Sequence, residues 1–79
     1  MTLQVEFTVE PFVPGAPGPH VQAAVAAAEA VGLDVELGPF GTAVAGDDAV
    51  VLQAVDAIVR AAVGAGASRV SLQLARIDD

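Results

Sequence analysis

The chain contains no cysteine, only one histidine and only three basic residues, all arginine, among its 79 residues. The lack of cysteine excludes disulfide scaffolds, thiol catalysis and the cysteine-rich zinc and iron–sulfur sites, and His20 alone cannot make a histidine cluster. Arg60, Arg69 and Arg76 face ten acidic residues, for a net charge of −7. That field repels phosphate backbones and argues against a nucleic-acid partner, while it draws in cations. Long apolar runs are missing too. The alanine-rich stretches are interrupted by Glu29, Asp56 and Arg60, too short and too charged to span a bilayer. The amino terminus alternates from Leu3 without a basic segment leading into an apolar stretch, so no signal peptide is read and a soluble, cytoplasmic protein is expected. At this length the chain is expected to form a single domain over residues 1–79 with a small core, for which oligomerisation is a common remedy.

What is present is a change of hydrophobic period along the chain. Residues 3–10 alternate: Val5, Phe7 and Val9 fall on one face, and Gln4, Glu6, Thr8 and Glu10 on the other. The breaker-rich Val13–Pro19 connection leads into a helix expected from Pro19 to Val31, with Val21, Ala24, Val25, Ala28 and Val31 on its apolar stripe and Gly32 ending it. Leu33, Val35 and Leu37 alternate with Asp34 and Glu36 as a second strand, and Gly38-Pro39 turns it into a third strand beginning near Phe40. Asp47 or Asp48 is expected to cap a second helix carrying Val51, Val55, Ile58, Val59 and Ala62 inward, with Asp56 and Arg60 paired on its outer side and Gly64 and Gly66 stopping it. Val70, Leu72 and Leu74 alternate in a last strand.

Strand, helix, strand, strand, helix, strand is the split βαβ order of an α+β, ferredoxin-like βαββαβ sandwich: a four-stranded antiparallel sheet with both helices on one face. The other face stays open. Strand one is then central, so Glu6 and Thr8 lie beside outward residues of the third and fourth strands, Ser71 and Gln73 among them. A face lined with carboxylates and hydroxyls suits a polar, cationic ligand, against the plainer reading of a solvated surface. In the third strand Phe40, Thr42 and Val44 share one face and Gly41, Ala43 and Ala45 the other, unless a bulge near Gly41 reverses part of the assignment.

Glu6-Phe7-Thr8-Val9-Glu10-Pro11, Val31-Gly32-Leu33, Glu36-Leu37-Gly38-Pro39-Phe40-Gly41-Thr42 with Gly46 four positions on, and Gly66-Ala67-Ser68-Arg69-Val70 together resemble the small thiamine-binding proteins, the YkoF-like group. The resemblance covers nearly the whole chain. It implies homo-oligomers, a homodimer or homotetramer, assembled through open sheet faces, and binding of thiamine (vitamin B1) or its hydroxymethylpyrimidine portion without catalysis. Thiamine enters as ligand, and neither a cofactor nor a metal is expected. Two positions depart from the family pattern: Glu10 replaces an aliphatic residue, and Arg76 stands one step from the usual basic position, which inverts its facing in a strand.

Thiamine carries a permanently positive thiazolium and an aminopyrimidine with donors and acceptors to satisfy. Glu6 and Glu36 can serve those needs, Glu6 at the aminopyrimidine edge; Thr8 and Thr42 offer hydroxyls, Phe40 can stack on a heteroaromatic ring or a cation, and Gln73 is nominated because strand four neighbours strand one. Gly38, Gly41 and Gly46 read as turn and bulge residues, because no lysine follows them as a phosphate loop requires. His20 reads as an ordinary first-turn residue, and the Asp47-Asp48 and Asp78-Asp79 pairs as cap and solvated tail. An acylphosphatase would need cations in the loop after strand one, and a metal chaperone a Cys-x-x-Cys pair; both are lacking. The alternative function is a small-ligand regulatory or oligomeric assembly module of the amino-acid-sensing type, which needs donors for a carboxylate.

Overall fold

Alternation and helical periodicity resolve into six elements: β1 (Thr2–Glu10), α1 (Pro19–Ala30), β2 (Val35–Leu37), β3 (Thr42–Asp47), α2 (Asp48–Gly64) and β4 (Arg69–Arg76). They come from a computed structural model that describes residues 1–11, 18–37 and 41–77. The strands form one antiparallel sheet in the order β2-β3-β1-β4, with β1 between β3 and β4. This is the ferredoxin-like α+β arrangement.

The period-two pattern of β1 sorts its side chains as the sequence predicts. Leu3, Val5, Phe7 and Val9 are buried, whereas Glu6 and Thr8 are exposed. Directly opposed residues of an antiparallel pair share a face, so Val5↔Val44 and Phe7↔Leu72 extend the apolar side across the sheet. Onto it pack Ala24 and Ala28 of α1 and Val51, Ala54, Ile58 and Ala62 of α2. Each fully buried aliphatic side chain contributes about 1.5–3 kcal/mol of transfer free energy, which is the main return a chain of this size can draw on.

Several local expectations are corrected. On α2 the buried stripe runs through Ala54, while Val59 stays exposed and Val55 half-buried. Alanine leaves room where the two helices press together, so the larger valines are displaced to the flank. The apolar stripe of α1 likewise centres on His20, Ala24 and Ala28, with Val21, Val25 and Val31 half-buried. Asp47 is the N-cap of α2 by position, yet its side chain makes no capping hydrogen bond; the Asp48 amide instead donates to the Met1 carbonyl at 3.0 Å, so the chain start serves this helix end. Asp48 still places a carboxylate in the first turn, where the helix dipole favours it. Gly64 is the last residue of α2, and Gly66, at φ +104°, turns the chain out of it. Helix α1 ends at Ala30, with Gly32 at φ +96° supplying the turn.

β2 begins at Val35, later than the alternation from Leu33 predicts, with Leu33 buried ahead of the ladder, and β3 begins at Thr42. Phe40, together with Gly38 and Pro39, lies outside the described residues. His20 is also more than a first-turn residue: it is buried, and its Nε2 lies 2.6 Å from the Pro11 carbonyl, tying the start of α1 to the end of β1. Asp56 and Arg60 make the expected exposed pair at 3.0 Å.

Candidate functional site

Register decides which side chains meet on the open face. Glu36 of β2 lies opposite Ala43 of β3, Ala43 opposite Glu6 of β1, and Glu6 opposite Gln73 of β4. These four form one row across the whole sheet. In the next row Thr8 lies opposite Ser71, with Gly41 beside it: a Cβ on Gly41 would stand 3.4 Å from the Thr8 methyl and 3.2 Å from the Phe7 carbonyl oxygen. Glycine at 41 therefore permits a close approach of backbones that any side chain would crowd.

The outward positions Ala43 and Ala45 of β3, and Gly41 just before it, carry the smallest side chains, and Ala43 lies between the taller polar side chains of Glu36 and Glu6. Strands are spaced about 4.8 Å apart, so Glu6 and Glu36, two strands apart, rise about 10 Å from each other over the Ala43 floor. The result is a cleft of about 440 Å³ whose lining includes Glu6, Thr8, Glu36, Ala43, Ser71 and Gln73. That volume lies within the range of small-molecule sites. The two carboxylates are exposed to solvent, and no lysine or arginine is among the lining residues. The nearest cation along β1, Arg69, lies opposite Glu10 and is held by its carboxylate at 3.6 Å.

The structure brings together four of the six residues singled out from sequence, Glu6, Thr8, Glu36 and Gln73. Thr42 borders the same cleft but is opposite Phe7 and buried at 7% exposure, so its side chain lies on the helix-facing side of the sheet. The β3 ladder runs without interruption from Thr42 to Asp47, and no bulge turns Thr42 outward. Phe40 lies outside the described residues. Ser71 and the small residues Gly41 and Ala43 line the cleft as well; the signal for the floor is the run of glycine and alanine at alternate positions 41, 43 and 45, which marks a groove and not a wall. Arg76 is opposite Leu3, on the helix-facing side, with its Nε 3.0 Å from the Met1 sulfur.

The family described as Thiamine-binding protein matches residues 5–79. The chain belongs to this thiamine-binding family. No curated protein sequence matches the chain. Among solved structures, a domain of unknown function, DUF77, from Bacillus cereus superposes with a TM-score of 0.68 at 25% identity, covering 94% of this chain and 72% of that one. A hypothetical protein from Methanocaldococcus jannascii superposes at 0.69 with 24% identity, covering 99% and 84%. A candidate thiamine biosynthesis/salvage protein from Thermotoga maritima superposes at 0.54 with 24% identity, covering 95% and 81%. The last two likenesses speak to the fold, and the family match carries the thiamine-related assignment. No helix among the described residues is long and apolar enough to cross a membrane.

Proposed function

We propose that this protein binds thiamine or its hydroxymethylpyrimidine portion, without catalysis, in the cleft on the open sheet face and beside a subunit interface. The observation that carries the reading is the trough over β3: two carboxylates about two strand spacings apart on a floor of glycine and alanine. A flat heterocycle lying on Ala43 meets Glu6 on one side and Glu36 on the other. One carboxylate accepts from the exocyclic amine of the aminopyrimidine, and the other lies toward the positive thiazolium. The hydroxyls of Thr8 and Ser71 and the amide of Gln73 supply neutral donors and acceptors along the β1 and β4 side.

An amino-acid-sensing module is less well supported, since a carboxylate ligand entering this cleft would meet two acidic side chains and no cation among the lining residues. The same argument disfavours phosphorylated thiamine. We place the protein in the cytoplasm as a homo-oligomer, the setting in which the chain's small core and acidic surface are easiest to reconcile. A calorimetric titration of the purified protein with thiamine, hydroxymethylpyrimidine, thiamine diphosphate and a free amino acid tests the assignment. Saturable heat with the first two and none with the last two is the expected pattern. Saturable heat with the amino acid alone would transfer the assignment to the sensing module.

A further inference from the structure

Of the three arginines in the chain, only one reaches the open face of the sheet. Arg60 lies on α2, and Arg76 is opposite Leu3 on the helix-facing side. Arg69 is opposite Glu10, which has the parity of Glu6 and Thr8 along β1, so Glu10 and Arg69 form the row of the open face next to Thr8 and Ser71. With no lysine in the chain, Arg69 is the one basic side chain on that face among the described residues.

Its charge is already matched. Arg69 Nε stands 3.6 Å from the Glu10 carboxylate, and the backbone holds this corner in register: the Ser68 amide and hydroxyl both donate to the Glu10 carbonyl, at 2.8 and 3.2 Å. The Arg69 side chain is 73% exposed and that of Glu10 46%, and an ion pair so placed adds little to stability. Its consequence is for charged ligands. Strand residues two apart are separated by about 7 Å, so the pair lies about 7 Å beyond Thr8 and Ser71, which line the cleft, and about 13 Å beyond Glu6 and Gln73. A phosphoryl group on a ligand in the cleft is repelled by Glu6 and Glu36, and its path away from them runs over the hydroxyls of Thr8 and Ser71, which can donate to it, toward Arg69. There it meets a guanidinium that a carboxylate has neutralised.

We propose that Glu10 is the specificity determinant of this face: by holding Arg69 it denies a phosphate group its only cation, and the cleft takes the free alcohol in preference to its phosphate monoester. The inference rests on the cleft being the thiamine site, and it assigns the exclusion of phosphate to one side chain acting through another, not to the overall negative charge. Without the Glu10 carboxylate, Arg69 is free to pair with phosphate oxygens through its planar fork of donors.

Calorimetric titrations with thiamine and with its phosphate monoester test it. The wild type is expected to prefer thiamine. Glu10→Gln, and equally Glu10→Ala, should strengthen binding of the monoester at least about tenfold, or about 1.4 kcal/mol, while binding of thiamine itself holds or weakens. Adding Arg69→Gln to Glu10→Gln should abolish the gain. Glu29→Gln, which changes the net charge equally but lies on α1, should produce none. Thiamine bound by the wild type, with monoester affinity unmoved by both Glu10 variants, would overturn this inference and leave the cleft assignment standing. A gain that survives Arg69→Gln, or one matched by Glu29→Gln, would overturn it too, since the effect would then be one of diffuse charge. A wild type that binds neither compound would overturn the cleft assignment and this inference with it.

Discussion

Replacing Glu6 by glutamine removes one charge from the cleft while keeping the side chain's length and one acceptor oxygen. Glu6 is exposed, flanked by Ala43 and Gln73, and stands two strands from Glu36, so its interaction with a bound cation is partly screened by water. Two unit charges 4 Å apart interact by about 1 kcal/mol in water and about 4 kcal/mol at the effective dielectric of a protein surface. The open cleft belongs toward the lower end, so a loss of ~1–2 kcal/mol is expected. At 1.4 kcal/mol for each factor of ten, thiamine should bind roughly 5- to 30-fold more weakly. Calorimetry reads this directly. Glu29→Gln changes the net charge equally but lies on exposed α1, on the helix side of the sheet, and should leave the affinity nearly unchanged. Raising the salt toward 1 M, where the screening length falls to about 3 Å, should shrink the difference between wild type and Glu6→Gln. Equal weakening by Glu6→Gln and Glu29→Gln would refute a local contact and leave only a diffuse field. No weakening by Glu6→Gln would remove the carboxylate from the site.

Other substitutions test the frame beneath the cleft. Ile58→Ala, at a fully buried position, should cost about 2–5 kcal/mol in urea denaturation, against a small change for Leu52→Ala on the exposed flank. Gly66→Ala forces a side chain into φ +104° and should lose about 1–2 kcal/mol with no change in ligand affinity. Thr42→Val, beneath the sheet, should leave thiamine binding as it was, whereas Thr8→Val, on the open face, should weaken it; the reverse result would mean that the register of β3 is wrong.

The parts of this fold legible in the sequence are those in which one strand or one helix carries its own pattern. The alternation of Val5, Phe7 and Val9 with Glu6 and Thr8 needs no neighbour to be read, and Pro19 and Gly32 mark the ends of α1 by backbone preference alone. Features set by contact between elements were harder. Ala54 and not Val59 lies in the core because two helices approach closely there, and His20 is buried because a carbonyl of the chain before it comes within 2.6 Å. The candidate site depends on register between four strands. Glu6, Thr8 and Gln73 were readable as outward residues, but that Ala43 lies level with both Glu6 and Glu36, and that Thr42 points beneath the sheet, follows only from pairing.

The most direct test of the account is a map of backbone amide shifts in the isotopically labelled protein as thiamine is added. Binding on the open face predicts saturable shifts centred on Glu6, Thr8, Glu36, Ala43, Ser71 and Gln73, with the amides of α1 and the middle of α2 little changed. Shifts concentrated on the helices, or none at thiamine concentrations that give saturable heat, would contradict it.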